Sequence, residues 1–427
     1  MGNMVLALVL LYFLAVAILA WRRFKLAVGF LILILPAYLI RFNIGPLPST
    51  LLEITFGAIF LVWLTRYSRQ DYPILLETTK KHRSLSIFIF IFLAGSFIAA
   101  LANPALLKAL GIWRAYFLEP FLVFIMLTGR SSFFSKQYII DSLALSTVSI
   151  GLLALMQKIF GGPFPPSLWD DELFGRPTSF FTSPNAIGLY LVPVALLLLP
   201  AIGKIVRKEH ERHDYWRAGI FLLNAAAIAV TFSQGAWIAL AGGIVIFSLL
   251  TGFKRLAASL IVLAVILSIM SPGLRQAILF KDQAGQNRLT LWRYSIEYLT
   301  ESPRQFILGS GLRRFFTEVQ KPYYDVKQME RLIYPHNLIL NFWLETGLLG
   351  MLSFVATIIG FLWLSIKIFQ NDKWLGAAFV ASLSAIIIHG LVDVPYFKND
   401  LAMLFWLLAA AILIAVIQQN KNPISSG

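Results

Sequence analysis

The chain has 427 residues, 58% of them hydrophobic and 13% charged, with a formal net charge of +15. That balance lies well outside the soluble range and places the fold in lipid. The absence of cysteine excludes disulfides, a catalytic thiol and thiolate metal sites. With no soluble basic module carrying groove-reading or aromatic elements, nucleic acid is excluded as a partner.

A helix needs about 20 apolar residues to cross the hydrocarbon. In chain order, spans are predicted near 4–20, 26–40, 48–65, 85–101, 112–128, 138–159, 186–202, 218–232, 236–250, 256–271, 344–367, 375–391 and 400–418. The expected fold is an all-α polytopic integral membrane protein with 12–13 transmembrane helices. The count is twelve if 26–40, which is short, or 112–128, which holds Arg114 and Glu119, is re-entrant or buried. Close on one helix, Arg114 and Glu119 are expected to neutralise one another. The first stretch has no charged n-region or small-residue cleavage pattern and runs into Trp21-Arg22-Arg23, so it is expected to remain as a membrane helix.

Lys and Arg sort the short loops into two sets. Loops 21–25, 66–84, 129–137, 203–217, 251–255, 367–374 and the C-terminal tail hold twenty basic residues, whereas the alternate loops hold six. The first set is expected in the cytoplasm, where Lys80-Lys81-His82-Arg83 and the run 204–217 set topology and attract anionic lipid. The protein is therefore expected in the cytoplasmic (inner) membrane with residues 419–427 as a cytoplasmic tail.

The stretch 272–335 falls outside and carries ten basic residues, making it a candidate anion funnel. Within it Leu289, Trp292, Ile296 and Leu299 recur at helical spacing and Pro303 follows, which predicts an amphipathic helix lying across the membrane core. A second outer loop, 161–185, is stiffened by prolines near its start and carries Arg176 before Pro184-Asn185. Asn185 is read as the cap of the helix beginning at Ala186, and Asn337 as the cap of the helix after Tyr334-Pro335-His336-Asn337. Glu345 lies in or near the membrane about two turns beyond His336 and needs a partner, expected to be a loop arginine. His389 and Asp393 stand four apart at the outer end of a late helix, so Asp393 can orient His389. No third ligand accompanies them, and no metal is expected.

The residues 180–188 (FFTSPNAIG), 233–237 (SQGAW), 287–292 (NRLTLW) and 309–312 (GSGL), followed by His336-Asn337, Glu345 and Gly347, carry a resemblance. In this order they resemble the O-antigen ligase and polymerase superfamily over about residues 110–418. Residues 1–110 would then be supporting helices and 111–418 the core, including the extracytoplasmic loop 272–335.

The resemblance implies an integral membrane glycosyltransferase without cofactor. Its donor would be an undecaprenyl-diphosphate-linked glycan, and its acceptor a hydroxyl of a glycan, lipid or protein outside the cytoplasm. It implies His336 as general base, supported by Asn337, and arginines as diphosphate ligands. Arg288 and Arg176 match such positions, with Arg313 and Arg314 as weaker candidates. The chain departs from the pattern at Gln234, where the family commonly has arginine. Glutamine donates hydrogen bonds but neutralises no anion.

The chemistry is reasonable on the residues themselves. A diphosphate leaving group needs charge stabilisation more than protonation, and an imidazole can accept the proton of a sugar hydroxyl. Two other classes compete. A solute transporter of bicarbonate type would use the intramembrane charges as a path, though no pair of broken helices in matching halves is visible. A non-catalytic scaffold for envelope assembly gains weight from Gln234.

Overall fold

The computed structural model describes residues 2–44, 47–161, 175–322 and 331–421. The prolines at 163–166, Lys327 and most of the C-terminal tail lie outside the described residues.

All thirteen predicted segments fall on helical structure. Helix α1 (Gly2–Arg22) is followed by α2 (Phe24–Leu33), which ends in a short 3-10 turn at Leu35–Leu39. With only ten residues, α2 is too short to span. A hairpin that the apolar pattern had hidden follows, β1 (Arg41–Ile44) pairing antiparallel with β2 (Leu47–Thr50). Thr50 and Glu53 form a capping box that starts α3 (Leu51–Arg66). Helix α4 (Ser68–Lys81) bends 90° from α3.

After α5 (Arg83–Leu101), the predicted span 112–128 is α6 (Leu106–Trp113) joined by a π turn at Arg114–Leu118 to α7 (Glu119–Gly129). Arg114 pairs with Glu119 (3.1 Å), as expected, and also with Glu53 (2.6 Å), so one cation joins two acids at this rim. Next come α8 (Lys136–Phe160), α9 (Pro184–Arg207), α10 (Arg212–Val230), α11 (Gln234–Thr251) and α12 (Lys254–Met270). After α12 come α13 (Pro272–Ile278), α14 (Gln283–Thr300) and α15 (Pro303–Leu308). The chain closes with α16 (Leu338–Asn371), α17 (Lys373–Gly390) and α18 (Asn399–Lys421).

Among the described residues, eight helices are long and apolar enough to cross a membrane, or up to ten when each bent pair counts as one span. α9 and α18 form the centre, with 89% and 94% of their apolar windows buried in protein. Both are apolar on all sides, which suits a helix surrounded by other helices. An aromatic cluster built from Phe92, Phe117, Phe342, Phe354, Tyr396 and Phe397 fills the space between α5, α16 and the segment before α18. Buried Tyr396 is satisfied there, donating to the Tyr116 carbonyl at 2.9 Å and facing Trp406 Nε1 at 3.2 Å.

α16 is not one straight rod. Gly347 has φ +73°, breaking the helix nine residues after it begins. The kink leaves the Leu344 carbonyl without its helical partner, and the 309–312 motif takes it. Ser310 and Gly311 donate their amides to it at 2.7 and 3.0 Å, and Ser310 Oγ at 3.1 Å. A side chain at 347 would be strained by that φ and would collide with the Ile307 carbonyl.

The amphipathic helix is present as α14 and ends before Pro303 as expected, but its buried face differs from the spacing-based one. Leu291, Tyr294 and Leu299 pack on Phe315, Val319 and Leu344, while Leu289 and Ile296 are exposed. In lipid an exposed leucine carries no desolvation cost, so apolar spacing alone cannot tell the protein-facing stripe from the lipid-facing one.

Candidate functional site

Ends of α9, α11, α14, α16 and α17 converge on the loop around His336. Trp292 of α14 donates from Nε1 to the Pro335 carbonyl at 3.0 Å. Asn337 caps α16 as expected, its Oδ1 accepting from the Leu340 amide at 3.0 Å. Its Nδ2 donates to the Leu391 carbonyl at 3.2 Å, tying this loop to the end of α17. Between these anchors His336 adopts φ +52°, a left-handed conformation that histidine tolerates better than most residues. Its side chain is 26% exposed, open enough for a substrate to reach.

His336 Nδ1 lies 3.4 Å from Asp393 Oδ1. Asp393 was expected to orient His389; its carboxylate lies instead against His336, because Asn337 draws the loop onto Leu391. Burial alone would push the Asp393 carboxyl up. The interaction with His336, the charges of His336 and His389 and the Val394 amide outweigh it and hold the carboxyl below its usual range. An ionised Asp393 at Nδ1 favours the tautomer with its proton there, leaving Nε2 to accept one.

His389 is buried behind this pair. A Cβ on Gly235 would stand 3.2 Å from its Cδ2, and one on Gly188 3.5 Å from its Cε1. The glycine of the 233–237 motif thus makes room for the imidazole, whereas Gly188 makes room for Ala236, which a Cβ there would strike. Arg288 is close enough for its charge to act on His389. It sits one turn before Trp292, on the side of α14 that faces the His336 loop.

Arg176 completes the other edge. Its Nε donates to the Thr231 carbonyl at 2.7 Å, and its Nη2 to Asn185 Oδ1 at 3.3 Å. Burial pushes its value down from the ordinary one. The loop that presents it is pinned by Gln157, whose Oε1 accepts from the Thr178 and Ser179 amides at 3.1 and 2.7 Å. Nothing local to Gln157 in the sequence signals this role. Asn185 does not cap α9: Ser183 does, accepting from the Asn185 amide at 3.3 Å, with Pro184 in the first helical position. Proline has no N–H to satisfy and has its φ preset, so the cap falls one residue before it and the Asn185 side chain is left for Arg176.

The remaining candidates divide. Gln234 is exposed at the first position of α11 and makes no hydrogen bond among the described residues. Arg313 turns inward, its Nη1 donating to Tyr334 Oη at 2.6 Å; Tyr334 in turn donates to the Phe397 carbonyl at 2.6 Å. Burial draws the Arg313 value down, but Tyr116, Tyr334 and Glu345 reverse this and raise it above the ordinary value. Arg314 is paired with Glu318. Glu345 is fully buried; no arginine lies within ion-pair distance among the described residues, and Arg313 acts on it through its charge and its backbone amide.

Residues 219–355 match the Wzy_C family model, O-Antigen ligase. The match supports the O-antigen ligase and polymerase superfamily for this chain, and with it a multi-pass membrane protein with a function of O-antigen ligase or polymerase type. It includes Gln234, Arg288, His336, Asn337 and Glu345 but stops short of Arg176, Asn185, His389 and Asp393. Those four are brought to the O-antigen ligase segment by the fold. No curated protein matches the chain.

Proposed function

We propose that the chain is a glycosyltransferase that moves a glycan from a polyprenyl diphosphate, undecaprenyl diphosphate in a bacterial membrane, to an acceptor hydroxyl at the outer face. The observation that carries this reading is the His336–Asp393 pair, 3.4 Å apart at the end of the bundle where α14 brings Arg288. The acceptor oxygen attacks the anomeric carbon and forms the new glycosidic bond. The bond from that carbon to the diphosphate oxygen breaks, and the leaving diphosphate keeps the electron pair. His336 Nε2 takes the acceptor proton, with Asp393 holding the imidazole in the receptive tautomer.

Arg288 and Arg176 hold the diphosphate through charge-assisted hydrogen bonds. Gln234 adds an uncharged donor where α11 begins. Arg313 fixes Tyr334 and the His336 loop, and Arg314, paired with Glu318, stands further off. His389 packs behind Asp393 as a positioning residue. The reaction is expected to need neither metal nor nucleotide.

The test is release of polyprenyl diphosphate from a purified lipid-linked glycan in detergent. The same lipid-linked glycan is included as acceptor, so that polymerisation registers as well as ligation. Wild type should consume the donor and His336→Ala should not. A wild type that never consumes a matched donor, or a His336→Ala variant that equals it, overturns the reading and makes solute uptake into sealed vesicles the next assay.

A further inference from the structure

The end of α16 opposite His336 borders a second concave feature, a cavity of about 970 Å³. Its basic side chains come from separate elements: Lys81 at the end of α4, His82 between α4 and α5, Lys136 at the start of α8, and Lys367 near the end of α16. Asp372 is the one acid in this lining, and its carboxylate already caps α17 by accepting from the Leu375 amide at 3.0 Å. None of the three lysines forms an ion pair among the described residues. Two buried polar atoms of the lining, His82 Nε2 and Ser131 Oγ, have no hydrogen-bond partner there either.

Retention of positive charge on one side of a membrane explains lysines in these loops, but not their convergence around one cavity. Burial first, and then the charges of Lys81 and Lys367, push the His82 imidazole down, so the concentrated charge is felt at the buried edge. A ligand with several acceptor oxygens and a negative charge would answer both features, neutralising the lysines and accepting from His82 and Ser131. The cavity also lies beside an exposed apolar surface suited to lipid. Trp363 and Ile366 on the last turns of α16 are about half exposed, and Lys367 Nζ lies 3.5 Å from the centre of the Trp363 ring. A tryptophan beneath a lysine is the usual arrangement where a helix leaves the hydrocarbon for the headgroup layer.

We propose that this cavity binds the phosphate of an anionic phospholipid headgroup. Basic pockets between membrane helices do so elsewhere through the same pairing of lysines with headgroup charge. A lysine near the membrane surface contributes about 1 kcal/mol, roughly fivefold in binding, so losing two should weaken lipid retention roughly 30-fold.

The full-length protein is placed in phosphatidylcholine nanodiscs with graded phosphatidylglycerol, and retained lipid is counted by native mass spectrometry. Wild type should retain phosphatidylglycerol, and Lys81→Gln/Lys367→Gln should retain it roughly 30-fold more weakly. Lys254→Gln/Arg255→Gln, which removes the same charge from another loop, should match wild type. Equal loss in both double variants means diffuse attraction and overturns the proposal, as does failure of wild type to retain the lipid. If the double variant does not fold, Lys136→Gln alone should weaken retention about fivefold. A separate arm adds inorganic phosphate to discs without anionic lipid. Stabilisation there, together with displacement of phosphatidylglycerol when phosphate is added to the discs that contain it, identifies a phosphate site filled from solution and overturns the lipid assignment. No effect of free phosphate upholds it.

Discussion

The two ends of α16 place polar groups in opposite ways. Around His336 several polar groups are matched to partners from distant parts of the chain: Asn337 with Leu391, Pro335 with Trp292, Asp393 with His336, Arg176 with Thr231. Around Asn371 the lysines face an open cavity and form no ion pair among the described residues. The first arrangement fixes side-chain positions before a ligand arrives, as bond-making chemistry requires. The second leaves charge available, which is sufficient for holding an ion and too loose for directing a proton.

The contrast is tested most severely by His336→Ala. Loss of a general base should cost about 10² to 10⁴ in turnover, with lipid retention at the opposite cavity nearly unchanged; the unfolding temperature should fall modestly, because Asp393 loses its partner and alanine must take φ +52°. Arg288→Ala and Arg176→Ala should each lower turnover roughly 10- to 150-fold, the range for one charge-assisted hydrogen bond of about 1.5–3 kcal/mol. Steady-state release of the diphosphate carrier measures both. A turnover loss in Lys81→Gln/Lys367→Gln as large as either of these would break the division of labour.

Gly347→Ala should destabilise the fold, because left-handed backbone costs an alanine about 1–2 kcal/mol before the collision with Ile307 is counted. A fall in unfolding temperature greater than that of Gly57→Ala, where a Cβ meets nothing within 4 Å, would show it. Ser183→Ala should cost about 1 kcal/mol by uncapping α9, whereas Asn185→Ala should leave stability nearly intact and lower turnover by loosening Arg176; equal destabilisation by the two would count against the Ser183 cap. The smallest change should lie in pH dependence. The folded value of Asp393 is depressed, so its stabilisation is complete above about pH 4 and is lost as pH falls through that depressed value. The gap in unfolding temperature between wild type and Asp393→Asn should therefore stay constant from pH 7 to about 4 and narrow on further acidification.

The helices were legible because lipid demands long apolar runs, and Asn337 because a cap is a local device. The kinship of the motifs around His336 was legible from their order along the chain. Contacts between distant segments were not. That Asp393 meets His336 depends on Asn337 docking onto Leu391, 54 residues away in sequence. The anchoring of the Arg176 loop by Gln157 depends on a buried amide at the end of a helix that otherwise looks like any other span. The cap of α9 was misplaced by two residues because Pro184 moves it. Which apolar stripe of α14 packs on protein was not legible, because the exposed stripe is apolar as well.

The break at Gly347 also bears on how substrate gains access. Its released Leu344 carbonyl sits within the protein and is held by three donors from the segment Ser310–Gly311. Lifting that segment would strand a carbonyl in a place without water, so the chain is riveted to the bundle just after α15. Any opening of α14 over His336 must therefore swing about this rivet, and the hydrogen bond from Trp292 to Pro335 is the latch that such a swing would release.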